Sequence, residues 1–133
     1  MARIVPDTNV ILSAIFWKGN SYEVIRRGLI GEYRLITSSE IIEEVRQKLR
    51  VKFRFPEEKI EQQTQLMLRV FEVLEPRRVV EVARDKNDNK ILGCAADAHA
   101  EFIVTGDNDL LVLKKFESIQ IVTPAQFLAH VGP

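Results

Sequence analysis

The chain has 133 residues, 46% of them hydrophobic and 29% charged, with 19 Lys plus Arg against 19 Asp plus Glu. That length suits a single domain over residues 1–133 with one sizeable core, and the composition excludes an intrinsically disordered chain. A lone cysteine, Cys94, excludes an internal disulfide, and with only His99 and His130 as histidines no Cys/His zinc set can be assembled.

No charged-then-apolar leader precedes the first strand and no apolar stretch approaches the length of a bilayer span, so a cytoplasmic protein with no membrane contact is expected. A net charge of zero argues at first against a nucleic-acid partner. Gathering five acids into one pocket would leave 14 acids against 19 bases elsewhere, however, so the distribution matters more than the total.

The chain opens RIVPDTNVILSAIF, where Ile4-Val5-Pro6 predicts a buried strand over 3–6 that delivers the chain to Asp7, ahead of a helix near 9–17. A lone carboxylate at a buried strand end costs several kcal/mol unless something pairs with it, so its partners are expected elsewhere in the chain. Capping of the helix by Asp7 or by Asn9 is the plainer alternative. Asn20 followed by Glu23 has the capping-box spacing for a helix near 21–30. A strand over 33–37 then gives way, through the capping candidates Ser38 and Ser39, to a helix over 39–50. Ile41, Ile42 and Val45 cover the core side of that helix. Glu44, three residues after Ile41, borders the apolar stripe, whereas Glu43 points toward solvent.

The run VRQKLRVKFRF places Arg46, Lys48, Arg50, Lys52 and Arg54 at alternate positions. Extended, these five form one basic face suited to a phosphate backbone; helical, they spread over a solvated surface, and the pattern leaves both open. Pro56-Glu57-Glu58 starts a helix near 57–72, and Ile60, Met67, Phe71 and Leu74 form its core-facing stripe. A third strand is expected at 79–82. RDKNDNKIL opens a helix near 88–100 with Asp88 in the first turn, where it also fits the third position of a capping box begun by Asp85. Cys94, among the small residues of ILGCAADAHA, reads as buried core. In EFIVTGDNDLLVL a strand over 102–105 turns at Gly106 into Asp107 and Asp109, repeating the strand-then-aspartate order of Asp7. Asp109 either caps a helix near 109–115 or adds a carboxylate to the same site. A strand over 119–122 and a helix over 124–131 complete the chain.

Strands alternating with helices indicate an α/β domain around a mainly parallel sheet. Residues just past the C-terminal ends of parallel strands share one edge, which brings Asp7 toward Asp107, with Glu44 and Asp88 on helices leaving that edge. Clustered carboxylates repel unless a cation neutralises them, and an oxygen-only set without His or Cys selects Mg²⁺ or Mn²⁺. Such an ion acidifies water and polarises a phosphate, so phosphodiester hydrolysis is the natural reaction.

These segments, Asp7-Thr8-Asn9, SSEIIEEV with Glu44, RDKNDNKIL with Asp88 and VTGDNDLL with Asp107 and Asp109, together resemble the PIN-domain ribonucleases over essentially the whole chain. The likeness is greatest to the VapC-like toxin components of toxin-antitoxin systems. The resemblance implies a three-layer αβα sandwich around a parallel sheet of order 3-2-1-4-5 and a metal-dependent endoribonuclease. It makes Asp7, Glu44, Asp88 and Asp107 the catalytic, metal-binding acids and Asp109 a further metal-binding acid, with Asn9, Thr105 and Thr8 in support. It also implies an RNA substrate, a small antitoxin protein as partner, and a homodimer whose interface includes Phe16 and Trp17. Related PIN domains also process RNA outside toxin pairs. Pro6 departs from the aliphatic residue usual in relatives.

Two other readings compete. An aspartyl-phosphate phosphatase would use Asp7 as nucleophile, but that family repeats aspartate two positions on, where this chain has Asn9. A Mg²⁺-binding, receiver-like module needs a lysine just after a late strand, and Lys114 and Lys115 fall in an expected helix instead.

Overall fold

The computed structural model describes residues 1–133. Short runs of apolar residues form the strands β1 (Arg3–Pro6), β2 (Arg34–Ser38), β3 (Glu72–Leu74), β4 (Phe102–Val104), β5 (Lys115–Phe116) and β6 (Ile119–Val122). They make one sheet of order β3-β2-β1-β4-β6-β5, parallel throughout except for the β5–β6 pair at one edge. Helices α1 (Thr8–Phe16), α2 (Asn20–Leu29), α3 (Ser39–Val51), α4 (Glu57–Val70), α5 (Lys86–Asp97), α6 (Asn108–Leu111) and α7 (Pro124–Val131) complete a three-layer αβα sandwich. Central strands buried on both faces must be apolar along their length, and Ile4, Val5, Ile36, Ile103 and Val104 are fully buried.

With Ile119–Val122 in fifth place, the expected order 3-2-1-4-5 holds, and the antiparallel Lys115–Phe116 ribbon is an addition to it. The third strand is not where the sequence pointed. Residues 79–82 form no strand; the strand beside β2 is Glu72–Leu74, paired through Ile36 and Glu72. Helix α4 ends at Val70, and Phe71 turns extended, so the stripe of Ile60 and Met67 carries on into Phe71 and Leu74 only after the helix has stopped. With the place beside β2 taken, Val79 and Val82 remain exposed and only Val80 is buried. The helix expected at 109–115 is likewise a single turn, Asn108–Leu111, after which Lys115 enters β5.

Pro6 sits in a central strand without disrupting it. The Asp7 N–H continues the ladder onto the Val104 carbonyl, so by alternation the proline nitrogen faces β2, where the registered pairing already ends at Ile4. The helix starts follow the expected chemistry in part. Ser38 caps α3 by accepting from the Ile41 N–H, and Asp85 caps α5. Asn20, however, is the first residue of α2 behind Gly19, no side chain caps that helix, and Glu23 pairs with Arg26 instead of closing a box. Cys94 is fully buried, as expected of a core residue. No helix is long and apolar enough to cross a membrane.

Candidate active site

Where β1 and β4 end side by side, the chain places two aspartates as helix caps. Asp7 caps α1: its Oδ1 accepts the Val10 N–H at 2.8 Å and its Oδ2 accepts the Thr105 hydroxyl. Asp107 caps the short α6 by accepting the Asp109 N–H at 2.8 Å, and its own N–H donates to Thr105 Oγ1 at 2.9 Å. The fully buried Thr105 therefore joins the two strand ends, donating to one aspartate and accepting from the backbone of the other. Burial pushes the Asp7 carboxyl above its ordinary range; the bonds from Thr105 and Val10 work against that shift, and the neighbouring Asp107 charge adds to it.

Glu44 enters from α3. It is half-buried, as the stripe beside Ile41 implied, and accepts the Thr8 hydroxyl, whereas Glu43 is exposed and pairs with Arg46. Asp88 enters from the first turn of α5, only 6% exposed, and its Oδ2 is buried with no hydrogen-bond partner. Burial, then the hydrogen bond and charge of Asp107, with Asp85 and Asp7 behind them, raise the Asp88 carboxyl to about 7.

Asp7, Glu44, Asp88 and Asp107 line one polar cavity of about 90 Å³, together with Asp85, and Lys48 is the one cation at its wall. Carboxylate oxygens of Asp88, Asp107 and Asp109 lie within 4.8 Å of one another. Such a set fits a hard divalent cation: the donors are all oxygens, one of them is buried without a partner, and the cavity has room for an ion with a few waters.

The remaining sequence candidates fall around this centre. Asp109 belongs to the carboxylate trio and also accepts from Arg84 Nη2 at 3.3 Å; it does not cap α6, a position that Asp107 holds. Asn9 is exposed, and its Oδ1 accepts from Lys48 Nζ at 3.2 Å. Because α3 runs to Val51, the basic run forms no single face. Arg46 reaches Thr64 and Glu61, Arg50 pairs with Glu57, Lys52 lies over the Phe53 ring, and Arg54 is exposed at φ 53°. Of the five, only Lys48 lines the acid cavity. Lys114 and Lys115 are absent from its wall. Sequence reasoning treated Asp85 only as a cap; it caps α5 through the Asn87 N–H and lines the cavity as well, a double placement that its position three residues before Asp88 could have suggested.

A parallel sheet with carboxylates gathered at the end of its first and fourth strands defines a nuclease-like α/β domain with an acidic cluster. The chain belongs to the PIN domain family, whose profile matches residues 3–109. Its fold is similar to that of VapBC2 from Rickettsia felis, solved bound to a DNA fragment from their promoter, with a TM-score of 0.65 and 16% identity over 90% of this chain and 96% of that one. PAE2754 from Pyrobaculum aerophilum gives a TM-score of 0.65 and 17% identity over 98% and 89%. The PIN domain of T. brucei RRP44 gives 0.54 and 16% over 97% and 80%. No curated protein matches this chain in sequence.

Proposed function

We propose that the chain is a divalent-metal-dependent endoribonuclease, a single catalytic unit over residues 1–133, acting as the toxin of a toxin-antitoxin pair. The observation that carries the reading is the buried, unpartnered Asp88 Oδ2 facing Asp107 in a cavity walled by five acids. Asp7, Glu44, Asp88 and Asp107 would hold Mg²⁺ or Mn²⁺, with Asp109 as a further ligand. The ion supplies positive charge against phosphate oxygens and makes water easier to ionise.

The chain's own residues set up that chemistry. Val10 and Thr105 fix both oxygens of Asp7, and Thr8 fixes Glu44, so two acids are oriented before any ligand arrives. A cation held in the cavity would favour the ionised form of Asp88, against the burial and the Asp107 charge that raise its carboxyl. Lys48, held by Asn9 at the rim, offers a cation to an incoming phosphate. For the partner, the fold likeness to VapBC2 supports a small antitoxin. A homodimer using the exposed Trp17 belongs to the same proposal.

The test is cleavage of a mixed single-stranded RNA pool by purified protein. Cleavage should need Mn²⁺ or Mg²⁺, stop in EDTA, and be absent from Asp107→Asn prepared in parallel. Equal cleavage with and without chelator, or an active Asp107→Asn, overturns the proposal.

A further inference from the structure

The acid cavity is not closed on all sides. Glu44, Lys48 and Asn87 line both the cavity and a larger cleft of about 530 Å³ between α3 and the start of α5. That cleft shares Glu40 and Lys90 with another of about 530 Å³ beneath the segment from Pro76 to Lys86. The three hollows therefore adjoin in series from the carboxylates outward, and Lys90 stands on the wall common to the two outer ones.

Charge changes along this series. The inner cavity has five acids and one cation, the middle cleft balances Lys48, Lys52 and Lys90 against Glu40, Glu43 and Glu44, and the outer cleft sets five cations against Glu40 and Glu81. Within the outer cleft Arg78 is committed to Glu117 and Arg84 to Asp109. Arg77, Lys86 and Lys90 form no ion pair, and all three are exposed. Cations without carboxylate partners are free to meet phosphates, whereas Arg46 and Arg50 on α3 would first have to leave Glu61 and Glu57. Neither outer cleft is lined by an aromatic side chain, so bases have nothing to stack on there.

We propose that one arm of the RNA strand leaves the acid cavity through the α3–α5 cleft and passes beneath the Pro76–Lys86 segment, its phosphates held by Lys90, Lys86 and Arg77. The inference rests on the nuclease reading and adds the path of the substrate and the kind of contact made along it: backbone, without base readout.

The experiment measures binding of fluorescein-labelled twelve-nucleotide oligouridylate and oligoadenylate by anisotropy in EDTA, across a salt series, with metal-supported cleavage run alongside. Each phosphate contact to a single strand contributes about 0.7 to the slope of log affinity against log salt, so Arg77→Gln/Lys86→Gln/Lys90→Gln should lower the slope by about 2. Lys90→Gln alone should lower it by about 0.7. The loss should be the same on both sequences, and Arg50→Gln/Arg54→Gln should bind within twofold of wild type. Thermal melts of the Lys90→Gln protein establish that it is folded. If wild type cleaves RNA but the triple variant keeps the wild-type slope, the path is wrong while the nuclease reading stands. If the loss differs between the two sequences, backbone-only contact is wrong. If wild type neither binds nor cleaves, both the path and the nuclease reading fall.

Discussion

Replacing Asp88 by asparagine in chelator should stabilise the protein at alkaline pH and leave it unchanged in acid. Asp88 is buried with one oxygen unpartnered, and its carboxyl is raised from an ordinary value of 3.8 to about 7, by burial first and by Asp107 next. The folded state therefore holds a proton that the unfolded chain releases, so stability falls as pH rises through that window. The penalty is absent below the unfolded pKa, grows between the two values, and is complete above about 7. A rise of that size corresponds to at most about 4 kcal/mol, and solvent at the cavity mouth brings the expected effect to about 2 kcal/mol. The amide of the replacement keeps a donor toward Asp107 and cannot ionise. For a chain of this size Asp88→Asn should melt roughly 5–10 °C above wild type at pH 8 in EDTA, with the gap closing toward pH 4. Differential scanning calorimetry at both pH values reads this directly. A variant that melts at the wild-type temperature, or below it by the same amount at both pH values, would show that Asp88 is an ordinary first-turn residue and not part of a repulsive cluster.

Asp7 behaves differently because it also caps a helix. Asp7→Asn keeps the Val10 bond through its remaining carbonyl oxygen and loses the acceptor for the Thr105 hydroxyl, so its melting should stay within about 1 kcal/mol of wild type while RNA cleavage disappears; cleavage at wild-type rate by a folded variant refutes its role. Gly28→Ala places a Cβ 2.5 Å from the buried Leu35 side chain and should cost roughly 1–3 kcal/mol by urea denaturation, with cleavage per folded molecule unchanged. Trp17→Ser should shift sedimentation equilibrium at tens of micromolar from dimer to monomer; a wild-type monomer under those conditions counts against the dimer.

The acids were legible because each sits at a position that the strand-helix pattern marks. Asp7 follows its apolar run directly, Asp107 follows its own after the Thr105-Gly106 turn, and Glu44 borders the stripe of Ile41 and Val45 where Glu43 does not. The third strand was hidden by two coincidences. The apolar spacing of α4 continues across its end into Phe71 and Leu74, and the Val79, Val80 and Val82 run has strand composition with no free sheet edge beside it. The fate of the basic run was equally out of reach, because Glu61 and Glu57, which pair with Arg46 and Arg50, stand on α4, and only the packing of α3 against α4 brings them near. Asp85 was visible as a cap but not as a cavity wall, since one carboxylate can serve both roles only in the folded geometry of the α5 start.

The central claim is that the acid cavity is a divalent-metal site, and anomalous scattering from a crystal soaked in Mn²⁺ tests it most directly. The account predicts a peak among the carboxylates of Asp7, Asp88 and Asp107 at the ends of β1 and β4, lost in crystals of Asp88→Asn. A map with no peak in that cavity at millimolar Mn²⁺, or with peaks only at surface carboxylates such as Glu58 or Glu81, would contradict it.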